Sequence, residues 1–169
     1  RGLKNNFINI LLGLYTDVIP RIVISFNGID IHDIDLHWLR EKISYVSQES
    51  TIVPATYRDN LLLFLPEGDF PSKLNIDKII SLLNVKKLSL SDFIVPSSLS
   101  CGEARTLCLL RSFLKNSDFL ILDEPDASLD QESCSRRVKY LAHINFQKII
   151  LLVSHNPVFL NCCDEVIRL

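Results

Sequence analysis

The sequence predicts an α/β fold with a mainly parallel sheet that helices cover on both faces. At 169 residues, 47% of them apolar, the chain is long enough for one domain with a sizeable core. Residues 119–122 and 149–153 are continuous apolar segments, which are typical of strands buried on both faces of a parallel sheet. Segments with the apolar spacing of helices alternate with the strands, and this order favours crossover connections.

The first elements lie before residue 50. Residues 7–15 are apolar almost all round and follow the polar segment KNN, so a buried helix is predicted that begins after it. Residues 21–26 and 29–31 flank the pair Asn27-Gly28, which is typical of a type I′ turn because both residues tolerate positive φ. A small antiparallel ribbon is therefore predicted there. Residues 43–46 predict a short strand.

Four helices are predicted in the rest of the chain. Thr56 is placed to cap a helix that ends at Leu63, and residues 76–83 have helical apolar spacing. Ser100 is placed to cap a long helix that ends at Lys115, and residues 131–143 predict the helix between the two apolar strands. We expect one domain over residues 1–169, with a helical subdomain at about residues 50–115.

Composition excludes several classes of protein. A net charge of −2 gives no electrostatic reason to expect a nucleic-acid partner. The longest apolar segments are far shorter than the ~20 residues that cross a bilayer. The five cysteines show no paired CxxC spacing, which favours free thiols in a reducing compartment over metal ligands or disulfides. The sequence contains no methionine, so we expect that it either begins inside a longer protein or has lost its start.

Two acidic residues, Asp123 and Glu124, end the first apolar strand. Ligands of open parallel sheets bind beyond the carboxyl ends of the strands, where Ser154 and His155 follow the second apolar strand. Two carboxylates at this edge are suited to hold a hydrated Mg²⁺ and to polarise a water. A structural alternative is that the acids only cap the turn before Pro125.

The order of several motifs resembles the nucleotide-binding domain of ABC transporters. Gln48 after ISYVS is similar to the Q-loop glutamine, LSCGE at residues 99–103 to the signature, and FLILDEP to the Walker B strand. ASLD, which ends at Asp130, is similar to the D-loop, and the histidine of LLVSHN to the switch histidine. FINILLGLY and TYRDNLL resemble the exporter subgroup, in particular peptide and bacteriocin exporters. The resemblance implies a P-loop NTPase-like fold with ATP and Mg²⁺ as cofactors.

The resemblance also implies a role for each matched residue. Asp123 would contact Mg²⁺ through water, and Glu124 would act as the general base for the water that attacks the γ-phosphate. Gln48 would bind Mg²⁺ or hold that water, and His155 would donate to a γ-phosphate oxygen. Taken alone, a glutamine or a histidine at the end of a strand is more often an ordinary capped or solvated residue, and only the spacing to the other motifs favours a role for Gln48 and His155. Lys4 and Asn5 align with the end of the phosphate loop and would bind nucleotide.

A second group of residues would act across a dimer. Ser100 and Gly102 begin a helix whose backbone N–H groups can bind an anion, and in the family this concavity faces the ATP of a partner domain. Asp130 would serve the same opposite site. A plain helix cap is the alternative for Ser100. The resemblance thus implies a head-to-tail dimer, a transmembrane domain as second partner, and a place on the cytoplasmic face of the membrane.

Several positions depart from the family pattern. Leu3 stands for a glycine of the phosphate loop, Asn5 for its magnesium-binding Ser or Thr, Cys101 for the first signature glycine, and Asp126 for a threonine. We expect the N-terminal strands and most of the phosphate loop to be missing from this sequence. We also expect the chain alone to be inactive as an ATPase.

Three functions are therefore compatible with the sequence. The first is an ATP-hydrolysing domain of an exporter of peptide-like substrates. The second is a degenerate domain, a relic or a regulatory half, that pairs with an intact one. The third is a soluble ABC-type ATPase of DNA repair or translation. Because the family places the phosphate-loop strand inside the sheet, we further expect an open edge beside residues 119–122, exposed apolar surface on the first helix, and an aggregation-prone chain.

Overall fold

A computed structural model describes residues 2–14, 24–63, 65, 80, 89–115, 117–127, 129–144 and 148–168. The α-helices are α1 Gly2–Leu11, α2 Leu36–Lys42, α3 Tyr57–Leu62, α4 Cys101–Leu114, α5 Gln131–Ile144 and α6 Pro157–Leu160. The strands are β1 Ser25–Phe26, β2 Ile29–Asp30, β3 Ile43–Val46, β4 Ala55–Thr56, β5 Phe93–Ile94, β6 Phe119–Asp123 and β7 Ile149–Val153. Short 3-10 helices lie at Ile31–Asp33 and Pro96–Ser98.

A parallel sheet of the order β3-β6-β7 forms the centre of the described chain. Ile43 of β3 pairs with Phe119 of β6, and Phe119 pairs with Ile149 of β7. The expected open edge beside residues 119–122 is therefore wrong, because β6 has a strand on each side. Among the described residues β7 is the outer strand on that side, and Ile149 is 70% exposed.

The two faces of β6 bury different cores, since successive side chains point to opposite faces. Leu120 and Leu122 pack with residues of α4, α5 and α6, including the fully buried Phe159. Ile121 packs on the other face with Ile8 of α1 and Leu39 of α2. Helices cover both faces of the sheet, as the apolar strands predict.

Helix α1 begins earlier than its apolar segment indicates. It runs over Gly2–Leu11, so the polar residues 4–6 lie inside it instead of before it, and the predicted bounds of 7–15 are wrong. Ile8 and Leu11 share a core with Ile121 of the sheet, and Ile10 is also buried. Phe7 is exposed, so part of the expected exposure of apolar surface on this helix is present. The earlier start places Lys4 close to the end of β6.

The local signals of the sequence agree with the structure in the ribbon and the caps. Asn27 and Gly28 have φ of 52° and 82° in the turn between β1 and β2, as a type I′ turn requires. Thr56 accepts a hydrogen bond from the Asp59 N–H and caps α3. The strands of the ribbon are shorter than predicted, and residues 21–23 lie outside the described residues.

Helices α3 and α4 share a core that includes Tyr57, Leu61, Leu107 and Leu110. The helix predicted at residues 76–83 lies outside the described residues, except for Ile80, which is helical and packs against this core. The division into a domain with a helical subdomain at about residues 50–115 stays a prediction. In the described part of the chain, no helix combines the length and the apolar character that crossing a membrane requires.

Candidate active site

The carboxyl ends of three parallel strands bring the polar residues together. Asp123 ends β6, and Glu124 follows it. Gln48 lies two residues after β3. Asp123 and Ile121 point to the same face of the sheet, because side chains alternate, and α1 packs on that face. This topology places the first turn of α1 against the two acids. We call Lys4, Gln48, Asp123 and Glu124 the carboxylate site.

Lys4 joins both acids of the carboxylate site. Its Nζ lies 2.7 Å from Asp123 Oδ1 and 2.9 Å from Glu124 Oε1. Asp123 is only 4% exposed, so its charge needs a partner in place of water. Burial alone would lower the pKa of Lys4, but its hydrogen bonds to Asp123 and Glu124 and their negative charges raise it above the ordinary value. Lys4 therefore stays protonated and neutralises part of the charge of the acids.

Glu124 is held on both oxygens and by its backbone. Gln48 Nε2 donates to Glu124 Oε2 at 2.8 Å, while Lys4 contacts the other oxygen. The backbone of Glu124 has a φ of 48°, in the left-handed region that side chains rarely adopt. Its N–H donates to the Val153 carbonyl at 2.9 Å, which fixes this conformation against β7. Backbone strain of this kind is concentrated at functional sites.

Tyr45 is a neighbour of the carboxylate site that the sequence analysis missed. It pairs with Ile121 in the parallel register, so it shares the face of Asp123. Burial and, to a smaller extent, the negative charge of Asp123 raise the pKa of its hydroxyl. The register of β3 against β6 is the signal that would have placed Tyr45 here, and a sequence alone does not supply it.

Ser100, Gly102 and Asp130, which we call the helix-start residues, are organised differently. Ser100 Oγ accepts from the Glu103 N–H at 3.3 Å, and Glu103 Oε2 accepts from the Ser100 N–H at 2.9 Å, which completes a capping box for α4. Ser100 is exposed. A Cβ on Gly102 would meet no atom within 4 Å, so the packing of this chain does not require glycine there.

Asp130 caps α5. Its Oδ1 accepts from the Ser133 N–H at 2.7 Å, and its Oδ2 accepts from Ser133 Oγ at 3.1 Å. These hydrogen bonds lower the pKa of the Asp130 carboxyl. The side chain is exposed at the start of the helix. Both helix starts thus carry an exposed polar residue that caps its own helix.

The structure does not bring all predicted residues together. Lys4, Gln48, Asp123 and Glu124 are in contact, but the described contacts of Ser100 and Asp130 lie within their own helix starts. Asn5 and His155 are exposed. His155 does follow β7 at the same edge of the sheet.

Two arginines, Arg105 and Arg137, hold the segment of residues 124–127, which we call the acid turn. Arg137 of α5 is 5% exposed and donates to the Pro125 carbonyl at 2.7 Å and to Thr106 Oγ1 at 2.6 Å. Burial and the neighbouring charge of Arg105 lower its pKa to about 10. Ser154 Oγ donates to Asp126 Oδ1 at 2.9 Å. No pattern in the sequence indicated these contacts.

The donors at the carboxylate site fit Mg²⁺. The oxygens of Asp123, Glu124 and the Gln48 side chain are the hard ligands that this ion prefers, and Mg²⁺ is usually held by one or two carboxylates together with phosphate oxygens and waters. No group of three or more His, Cys, Asp or Glu in the described chain has the arrangement of a metal site. Two carboxylates and one amide oxygen leave positions around the ion that phosphate oxygens and waters would fill.

Comparisons with known proteins agree with this geometry. The family described as ABC transporter matches residues 4–127, which is more than half of the chain. An ABC transporter ATP-binding/permease protein of Haemophilus influenzae is 29% identical over 85% of this chain and 27% of that protein. The hemin import ATP-binding protein HrtA of Staphylococcus haemolyticus is 28% identical over 98% of this chain and 77% of that protein.

Two further comparisons concern exporters. The lactococcin-G-processing and transport ATP-binding protein LagD of Lactococcus lactis is 28% identical over 86% of this chain and 22% of that protein. The structure of a bacterial Atm1-family ABC exporter with ATP bound superimposes with a TM-score of 0.79 at 19% identity, over 90% of this chain and 27% of that one. The similar exporters are thus several times longer than this chain, and the structural likeness shows the fold.

Proposed function

Because the chain belongs to the ABC transporter family and is similar to the ATP-binding domains of exporters, we propose that it binds Mg-ATP and couples its hydrolysis to the export of a peptide-like substrate. The observation that carries this proposal is the contact of Lys4 and Gln48 with Asp123 and Glu124 at the ends of the parallel strands. A peptide-like substrate is supported by the similarity to LagD, whose name describes lactococcin G processing and transport.

Each residue of the carboxylate site has a task in this reaction. Glu124 accepts a proton from the attacking water, and Gln48, already in contact with its carboxylate, orients that water. Lys4 leaves the acids to contact the nucleotide phosphates, whose charge replaces theirs. Asp123 and Gln48 hold the metal, directly or through water. Mg²⁺, when bound, neutralises the charge that develops on the phosphates.

Five further residues complete the proposed site. His155 donates to a γ-phosphate oxygen from the loop after β7. Asn5 supplies a side-chain oxygen in the first turn of α1, where the family has a hydroxyl. The helix-start residues contact the nucleotide held by a second ATP-binding domain in a head-to-tail dimer. The open space at Gly102 supports a close approach from outside the chain.

The second partner is a transmembrane domain, which places the chain on the cytoplasmic face of the membrane. Relatives named ATP-binding/permease proteins support this proposal, because their names join the two functions. No feature of the described chain suggests a nucleic-acid partner, and its net charge is −2.

A degenerate domain that binds nucleotide weakly is the second candidate. Asn5 offers an amide in place of a hydroxyl ligand, and Cys101 puts an exposed side chain at the place of a signature glycine. Asp126 is bound to Ser154, so this departure from the family is accommodated within the fold. Such a domain would keep the dimer contacts and lose turnover.

A thermal-shift titration with Mg-ATP separates the two candidates. A ligand at 100 times its Kd stabilises the folded state by about 2.7 kcal/mol, so a binding domain shows a shift of several degrees. The Glu124→Gln variant should keep this shift, because it keeps the phosphate contacts, and Lys4→Met should lose it. An unchanged melting temperature of the wild-type chain at millimolar Mg-ATP would contradict ATP binding and leave the degenerate domain.

A further inference from the structure

Arg105, in the second turn of α4, connects two loops that are far apart in the sequence. Its Nη2 donates to the Gln48 carbonyl at 2.6 Å, and its Nη1 donates to the Ala127 carbonyl at 2.6 Å. Both are charge-assisted hydrogen bonds, which are stronger than those between neutral groups. The guanidinium group offers its donors in a fixed fork, so one side chain can hold two carbonyls at once.

Both loops contact Glu124. The side chain of Gln48 donates to Glu124 Oε2 at 2.8 Å. The Ala127 N–H donates to the Glu124 carbonyl at 3.2 Å, which closes the acid turn behind the left-handed residue. Arg105 thus fixes the carboxylate of Glu124 through Gln48 and its backbone through Ala127, and the two routes form a ring.

The position of Arg105 in α4 gives this ring a further property. Arg105 lies one helical turn after Gly102, on a helix whose start is exposed, and the start is fixed to the helix by the Ser100 capping box. A displacement of α4 on contact with a partner would therefore move the carbonyls of Gln48 and Ala127 together. The carboxylate site would respond to the helix start although no side chain joins them directly.

We propose that Arg105 is a positioning residue for Glu124, which ties the Gln48 loop and the acid turn to α4. This proposal rests on the proposed function, in which Glu124 is the general base. Its structural part can be tested without nucleotide, because the same guanidinium group donates to a carbonyl of each loop.

The first test is amide hydrogen exchange of the chain without nucleotide. The Arg105→Gln variant should raise the exchange rates of the amides of residues 47–49 and of Ala127 and Leu129 by about 10- to 100-fold, as loss of one charge-assisted bond to each loop implies. Arg105→Lys should protect one of the two loops, because an ammonium group contacts one carbonyl well at a time. The matched control is Arg136→Gln, whose guanidinium contacts Glu132 and Ser133 within α5.

The second test asks whether Arg105 acts on ligand binding through Gln48. Arg105→Gln should weaken Mg-ATP affinity about tenfold in the wild-type background and about twofold in a Gln48→Ala background, because residues that act through one another are not additive. Equal losses in both backgrounds would contradict positioning through Gln48. Unchanged exchange in both loops, or the same change in Arg136→Gln, would overturn the proposal. If the wild-type chain binds no Mg-ATP, the proposed function fails, and the exchange result still decides the role of Arg105.

Discussion

The carboxylate site and the helix-start residues use polar groups in opposite ways. In the first, Lys4 and Gln48 satisfy two acids within the chain, and Asp123 is 4% exposed. In the second, Ser100 and Asp130 are exposed, and their described hydrogen bonds only cap their own helices. The polar groups of the first region bind one another, whereas those of the second are exposed and bind only within their own helix starts. This difference is the one that the proposed head-to-tail dimer requires.

The largest effect should follow removal of Lys4. Lys4→Met leaves the buried Asp123 without its cation, so we expect a loss of about 2–3 kcal/mol in the free energy of unfolding, somewhat below that of a fully buried pair because Lys4 and Glu124 are partly exposed. Urea denaturation measures this loss. The matched control is Lys42→Met, which breaks the exposed pair with Asp118 at 3.0 Å and should cost less than about 1 kcal/mol. Equal losses of stability in the two variants would mean that the ion pairs of Lys4 contribute no more than an exposed surface pair.

Removal of the capping box of α4 should have a smaller effect on stability. Ser100→Ala removes the acceptor for the Glu103 N–H and should cost about 1 kcal/mol of stability, whereas Ser100→Thr should keep most of it. Because Ser100 makes no described contact with the carboxylate site, neither change should alter the Mg-ATP affinity of the monomer. A loss of affinity in the monomer would mean that the Ser100 side chain itself acts on the carboxylate site of its own chain.

A substitution at Gly102 should raise the stability of the chain, whereas Ser100→Ala lowers it. Gly102→Ala adds a methyl group that meets open space in the first turn of a helix, so we expect stability to rise by about 0.5 kcal/mol. The same methyl group would stand between the helix start and any partner that approaches its N–H groups. A thermal melt of the isolated chain measures the first effect. A destabilised variant would indicate that the helix start is packed more closely than the described contacts show.

Alkaline pH should have a still smaller effect, which is a loss of stability at the carboxylate site. The pKa of Lys4 is raised in the folded chain above 10.5, so its contribution to stability is complete below the pKa of the unfolded chain. That contribution is lost as pH rises through the higher folded value. The difference in stability between wild type and Lys4→Met should therefore stay constant from neutral pH to about the ordinary lysine pKa of 10.5 and shrink above it. A difference that stays constant above this pH would mean that the ion pairs do not raise the pKa of Lys4.

Local signals allowed most elements to be predicted. Asn27-Gly28 fixes its turn because of positive φ, Thr56 and Ser100 cap helices through their own side chains, and the apolar strands form a parallel sheet. The start of α1 was missed, because its first turn is polar and is stabilised by contacts with the acids of β6. Helix propensity and apolar spacing do not contain such contacts between distant residues.

The two acids of the site were predicted from the sequence, but the residues that surround and position them were not. Asp123 and Glu124 follow an apolar strand, and that position alone made them candidates. Tyr45 and Arg105 contact the site region through the strand register and through backbone carbonyls. Neither relation leaves a pattern in the residues themselves. For the same reason the sequence could not give the strand order, and the neighbour of β6 was predicted wrongly.

The most direct test of the account is the mass of the Glu124→Gln variant with Mg-ATP, measured by sedimentation velocity. This variant keeps the phosphate contacts and lacks the base, so it should accumulate the nucleotide-bound assembly. We predict a nucleotide-dependent dimer that Ser100→Arg in the same chain abolishes, while the thermal shift with Mg-ATP remains. A monomer at all nucleotide concentrations that still shows the thermal shift would contradict the account, because the helix-start residues would then have no second site to complete.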